Sequence, residues 1–145
     1  MKPIRVGVVG IGSMGRNHAR VCAELPQIEL AGIVDLDEAR VAPLAEQYGT
    51  KYYKDYQSLY GQIDGVVIVS PTPLHYQIAH DFLEQGVHVL VEKPITVEVE
   101  QAKRLVALAK EKNLILQVGH LERFNPANSA VWDLMLQLEK NLPMA

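Results

Sequence analysis

Apolar positions along the chain switch repeatedly between two periods, from consecutive runs to stripes at three- and four-residue spacing. Ile4 to Val9 is a short apolar run followed by glycine, which predicts a buried strand. Met14 to Leu25 reads as a helix closed by Pro26. Ile28 to Val34 is a second strand that ends at Asp35. A helix follows with Val41, Leu44, Ala45 and Tyr48 on one face, and Gly49 stands where its C-terminal cap belongs. Lys51 to Tyr53 is a short third strand, and a short helix lies around Asp55 to Tyr60. In Gly65 to Val69, four β-branched residues in a row imply burial on both faces, as in a parallel sheet.

The rhythm continues to the end of the chain. Leu74 to Gln85 predicts a helix with Ile78, Ala79, Phe82 and Leu83 inward, and Gly86 ends it. Val87 to Val91 is the fifth strand. Thr96 is placed to cap a helix whose inner face is Ala102, Leu105, Val106 and Ala109. Leu114 to Val118 is the sixth strand. A last helix spans about Pro126 to Lys140, with Val131, Leu134, Met135 and Leu138 in line. Strand and helix in strict alternation force parallel strands joined by right-handed crossovers. The expected fold is α/β, a doubly wound parallel sheet of the Rossmann type in the order 3-2-1-4-5-6. Residues 1–125 form the nucleotide-binding domain. Residues 126–145 are a C-terminal helix, either the start of a truncated second domain or an interface helix.

Bulk properties narrow the function classes. At 145 residues the chain suits one domain and buries a sizeable core. A net charge of −3 without any like-charged block argues against nucleic acid or an anionic membrane as partner. The single cysteine, Cys22, excludes an internal disulfide and any multi-cysteine metal site. No metal site is expected. The chain shows no signal-peptide pattern, and no apolar run reaches the ~18 residues of a membrane span. A cytoplasmic location is expected.

The chemistry concentrates after the strands. Gly10-Ile11-Gly12-Ser13-Met14-Gly15 follows a strand and opens a helix, the context that gives the bare glycine pattern meaning. Gly10 permits the tight turn, Gly12 lets a pyrophosphate approach the backbone, and Gly15 lets helix and strand pack closely. The helix N-terminus offers free N–H groups and partial positive charge. Asp35 is positioned to accept hydrogen bonds from ribose hydroxyls and to repel a 2′-phosphate, which favours NAD over NADP. Asp35 as a mere helix cap is the alternative, although Asp37 also suits that role. Arg40, on the next helix, has the reach to meet a phosphate.

Three further segments fall at strand ends, where ligands bind in such sheets. Ser70-Pro71-Thr72-Pro73-Leu74-His75 follows the fourth strand, stiffened by its prolines. Glu92-Lys93-Pro94 follows the fifth, and Gly119, His120, Arg123, Phe124 and Asn125 follow the sixth. A lysine beside a nicotinamide can take part in a hydroxyl's proton transfer, with Pro94 fixing its backbone through a cis peptide bond. A surface Glu92–Lys93 ion pair is the competing reading. His18, His80 and His88 show no clear partners.

These residues together resemble the cofactor domain of the Gfo/Idh/MocA (glucose-fructose oxidoreductase / inositol dehydrogenase) family. The resemblance rests on the glycine loop with Asn17-His18, Val34-Asp35, Asp64, Pro71 with His75, Gly86-Val87-His88-Val89, Glu92-Lys93-Pro94, and Gly119 with Arg123-Phe124. The stretch from Gly119 to Pro126 is similar to members acting on nucleotide sugars. The resemblance implies NAD-dependent hydride transfer at a secondary alcohol of a sugar, nucleotide sugar or polyol. It implies Lys93 as the catalytic residue. The implied cofactor-binding set is Gly10, Ile11, Gly12, Ser13, Met14, Gly15, Asp35, Ser70, Pro71, Thr72, His75, Glu92, Lys93 and Arg123. The family's second, α+β domain carries further substrate and catalytic residues and is absent from this sequence. The last helix then offers a face to that domain or to a second copy of the chain. The alternative to a dehydrogenase is a non-catalytic NAD-sensing module or an inert fragment.

Overall fold

The computed structural model describes residues 2–120. β1 (Ile4–Val9), β2 (Ile28–Val34), β3 (Tyr52–Tyr53), β4 (Gly65–Ile68), β5 (His88–Glu92) and β6 (Leu116–Gly119) form one sheet in the order β3-β2-β1-β4-β5-β6. Every pairing is parallel. The sequence order reverses between β1 and β4, as the doubly wound expectation requires. All six carboxyl ends therefore lie on one rim, where the connecting loops carry the chemistry.

α1 (Ser13–Glu24) and α2 (Glu38–Tyr48) cover one face, while α3 (His75–Glu84) and α4 (Val99–Glu111) cover the other. Successive strand residues alternate between these layers. Val6, Val8, Ile33 and Val67 pack with Ala19, Cys22, Val41 and Ala45 beneath α1 and α2. Val66, Ile68, Val89 and Val91 pack with Ile78, Phe82, Leu83 and Leu105 beneath α3 and α4. The crossover from β3 to β4 needs no long helix. It uses a single 3-10 turn, Tyr56–Leu59, capped by the Asp55 carboxylate, which accepts from the Gln57 N–H at 2.9 Å. Leu59 is wholly buried against Gly7 and Gly32, where a Cβ would come within 2.6 and 2.8 Å of its methyls.

The chain's punctuation follows local chemistry. Gly49 ends α2 in the left-handed region at φ 61°, donating to the Ala45 and Glu46 carbonyls. Other boundaries differ from the sequence reading. β3 is shortened to Tyr52–Tyr53, and α3 begins at His75 after a 3-10 turn over Thr72–Leu74. β6 starts at Leu116 because the Leu114 N–H is still bonded to Ala109 in the closing turn of α4. Thr96 does not cap α4. Its hydroxyl donates to the Glu98 carbonyl at 2.7 Å, and Glu98 holds the N-cap position. Val106, expected inward, is 57% exposed, since Leu105 and Ala109 already fill the line of contact beneath α4. No helix among the described residues is long and apolar enough to cross a membrane. Arg123 and the last helix of the sequence reading lie outside the described residues.

Candidate functional site

The glycine loop joins β1 to α1 at the middle of the carboxyl rim. Gly10 takes φ 93°, and its N–H donates to the Val34 carbonyl at 2.8 Å, which ties the turn to β2. A side chain there would meet the Val69 carbonyl at 2.7 Å. A Cβ at Gly15 would collide with the Gly10 carbonyl oxygen, so the third glycine permits the helix to start so close to the strand. Gly12 is different. It is exposed, and a Cβ built there finds nothing within 4 Å. The protein itself places no demand for a bare backbone at that position, and the open side faces outward. Gly12 is the N-cap of α1, and the first turn, with exposed Ser13 and Met14, contains no acidic side chain. The free N–H groups there keep their full attraction for an anion.

Asp35 lies beside this loop at the end of β2. One carboxylate oxygen accepts from the Ile11 N–H at 2.7 Å and the other from the Asp37 N–H at 2.9 Å. It thus holds the glycine loop and the start of α2 together. Each oxygen retains a further acceptor site for a hydroxyl. Arg40 stands over it, 3.6 Å from Asp35 and 3.4 Å from Asp37. Asp37 occupies the N-cap of α2 without a side-chain cap bond.

Ser70 follows β4, directly against Gly10. Its hydroxyl oxygen is buried and has no hydrogen-bond partner among the described residues. Such an orphan is costly unless something fills the place. Pro71 is exposed and Thr72 half-buried in the turn that follows. An open Gly12, spare acceptors on Asp35 and a donor waiting on Ser70 fit a dinucleotide with phosphates at the loop and ribose hydroxyls at the acid.

On the far side of the switch point, Lys93 is exposed after β5, and the Lys93–Pro94 peptide is cis. Glu92 does not pair with it. Neighbours on a strand point to opposite faces, and Glu92 turns toward α1. There His18 donates from Nε2 to Glu92 Oε1 at 2.9 Å, and the Lys93 N–H donates to Oε2 at 3.2 Å. Glu92 is 7% exposed and packs on Gly119, where a Cβ would come within 2.8 Å of its carboxylate. The residues around His18 in the sequence do not point to this partner; the parity of β5 does, since Glu92 shares a face with Leu90, on the α1 side. His88 also has one, because its Nδ1 accepts from the Ile115 N–H at 3.0 Å. His75 is 2% exposed, with Nδ1 at 2.8 Å from the Pro94 carbonyl and Nε2 at 2.7 Å from the Ser70 carbonyl. Neither ring nitrogen is left for a ligand. The structure thus gathers the loop, Asp35, Ser70, Pro71, Thr72 and Lys93 on one rim, with His75 and Glu92 as buried supports behind it.

The family model described as "Oxidoreductase family, NAD-binding Rossmann fold" matches residues 4–120. Over 124 residues the chain is 38% identical to UDP-N-acetylglucosamine 3-dehydrogenase of Acidithiobacillus ferrooxidans, covering 86% of this chain and 39% of that protein. The crystal structure of scyllo-inositol dehydrogenase from Lactobacillus casei, with bound NAD(H) and scyllo-inositol, is similar at TM-score 0.84 and 28% identity, covering 94% of this chain and 42% of that one. Biliverdin reductase from Synechocystis, in complex with biliverdin and NADP+, is similar at TM-score 0.86 and 31% identity, covering 91% and 42%. The chain spans about two fifths of the length of these relatives.

Proposed function

This chain belongs to the Gfo/Idh/MocA family of oxidoreductases and has its NAD-binding Rossmann fold, and we propose that it holds NAD for hydride transfer to or from a secondary alcohol carbon of a sugar, nucleotide sugar or polyol. Supporting that substrate class, the similar proteins named for their substrates include a nucleotide-sugar dehydrogenase and an inositol dehydrogenase. The observation that carries the reading is the position of Lys93, exposed at the end of β5 on the same rim as the open Gly12 face.

Oxidising a secondary alcohol removes a hydride from carbon and a proton from oxygen. Bound NAD supplies the hydride acceptor. The chain's own residues hold the cofactor and reach the proton. The Gly10–Gly15 loop and the α1 N-terminus bind the phosphates, and Asp35 accepts the adenosine ribose hydroxyls. Ser70 gains the hydrogen-bond partner its hydroxyl lacks. Lys93 presents its amine nitrogen to the reacting hydroxyl and handles its proton. Arg123, outside the described residues, belongs to the same proposal as a cleft residue.

The test is a titration of the purified chain with NADH and NADPH, followed by fluorescence, alongside the Lys93→Met variant. We expect saturable NADH binding, weaker NADPH binding, and little effect of Lys93→Met on NADH affinity. Turnover of inositols or UDP-N-acetylglucosamine, where observed, disappears in Lys93→Met. Absence of NADH binding at about millimolar concentration, a level that reads even weak sites, sinks the proposal.

A further inference from the structure

His75 starts α3 yet contributes nothing to that helix's apolar line. Its ring is almost wholly enclosed at 2% exposure and is polar at both ends. Both contacts run to main-chain carbonyls of loops that carry the site. Nε2 meets the Ser70 carbonyl at 2.7 Å, and Nδ1 meets the Pro94 carbonyl at 2.8 Å. These loops follow adjacent parallel strands, β4 and β5, which are paired from Gly65 with His88 up to Ile68 with Val91. Beyond Ile68 and Val91 this ladder stops, and the imidazole continues the tie where backbone bonding between the two strands has ended.

We propose that His75 is a positioning residue for this rim, fixing Ser70 and the Lys93–Pro94 turn relative to each other through the contacts of its two ring nitrogens. A carbonyl oxygen only accepts, so a ring nitrogen that bears hydrogen makes the bond, and the tautomer sets which nitrogen that is. The consequence for the site is specific. The Ser70 main chain is held by His75 while its hydroxyl is buried and without a partner among the described residues. The turn that carries Lys93 is held one residue further on, so that the lysine side chain is exposed while its backbone is fixed. His75 acts without touching a ligand. The part concerning Lys93 chemistry rests on the function proposed above; the clamp itself does not.

Three measurements on the full chain test this. In the histidine-labelled protein, the His75 ring should show the ¹⁵N shifts of one fixed, hydrogen-bonded form; shifts averaged between two tautomers overturn the tie. In His75→Phe, amide exchange over residues 69–72 and 92–95 should rise about tenfold, the scale of a lost buried hydrogen bond, while residues 41–48 of α2 stay unchanged. His75→Gln keeps one donor and should fall between the two. Exchange that rises equally throughout the chain, or does not rise at the two loops, overturns the proposal. If His75→Phe does not fold, the Gln variant and the ring spectrum still decide. Failure of the chain to bind NADH would sink the functional reading and leave these three readouts intact, so the two failures are distinguishable.

Discussion

Glu92 faces His18 across 2.9 Å, on the opposite side of the strand from Lys93, its neighbour in the chain. The pair links α1, which carries the phosphate loop, to the end of β5, and Glu92 also accepts the Lys93 N–H. Side-chain exposures of 16% for His18 and 9% for Glu92 leave little water to replace a lost partner.

His18→Leu should therefore destabilise the chain by about 1–3 kcal/mol, chiefly because it strands a buried carboxylate. Glu92→Gln should cost less, since an amide oxygen still accepts from the ring. A double-mutant cycle between His18→Ala and Glu92→Ala, read by urea unfolding, should give a coupling energy of at least about 0.5 kcal/mol. Strict additivity would show that the contact carries no interaction energy.

The glycines of the loop should separate into two kinds. Gly15→Ala forces a Cβ into the Gly10 carbonyl and should cost about 3 kcal/mol or more, within the upper range for overpacking. Gly12→Ala meets open space and should lower the melting temperature by only a few degrees, the effect of alanine at a helix N-cap. The same variant should weaken NADH binding about tenfold or more, because the added methyl stands where the phosphates approach the backbone. Unaltered NADH affinity in Gly12→Ala would mean that the open face is not the binding face.

Much of this was legible from spacing alone. The strand order followed from the alternation of apolar runs and helical stripes, because parallel strands with right-handed crossovers leave few arrangements. Gly10, Gly12 and Gly15 are legible as a short pattern between strand and helix, and Asp35 by its place at the end of the second strand, although its carboxylate meets Ile11, 24 residues away. Hidden features depend on contacts between distant segments. His18 and Glu92 are 74 residues apart. The assignment of His75 to the ligand set overlooked the carbonyls of Ser70 and Pro94, since main-chain groups leave no trace in a residue pattern. Thr96 was read as a cap from its residue type, but the hydroxyl found a nearer acceptor in the Glu98 carbonyl. Val106 was counted inward because a valine on a helix resembles core, whereas α4 meets the sheet along a narrower line.

Cofactor choice should turn on Asp35 and Arg40. The carboxylate repels a 2′-phosphate, while the guanidinium 3.6 Å away is already in position to meet one. Asp35→Ser removes the repulsion and frees Arg40. We expect NADPH affinity to rise relative to NADH by about ten- to hundredfold, the scale of a charge-assisted hydrogen bond. Adding Arg40→Ala to Asp35→Ser should abolish that gain, whereas Arg40→Ala alone should leave NADH affinity nearly unaffected. Some overall loss is expected in Asp35→Ser, because the Ile11 and Asp37 N–H groups lose their acceptor. A gain that survives Arg40→Ala would assign NADP recognition to another cation.

At the opposite end of the sheet, Arg5 and Asp64 set an acid limit. Asp64 accepts from the Arg5 backbone N–H at 2.9 Å and from its guanidinium at 2.6 and 3.1 Å, joining β1 to the entry of β4. The Arg5 side-chain hydrogen bonds, then the backbone bond, hold the Asp64 carboxyl down to about 2. A carboxylate with a lowered folded-state pKa stabilises the fold above its ordinary range and loses that contribution as pH falls through the folded value. The window therefore runs from about pH 4 down to about pH 2. Asp64→Asn should melt a few degrees lower than the parent at neutral pH, the modest effect of a half-buried pair that water still screens. The two melting curves should converge as pH approaches 2. A constant gap across that window would show that Asp64 stabilises through its shape and backbone bond rather than through its charge.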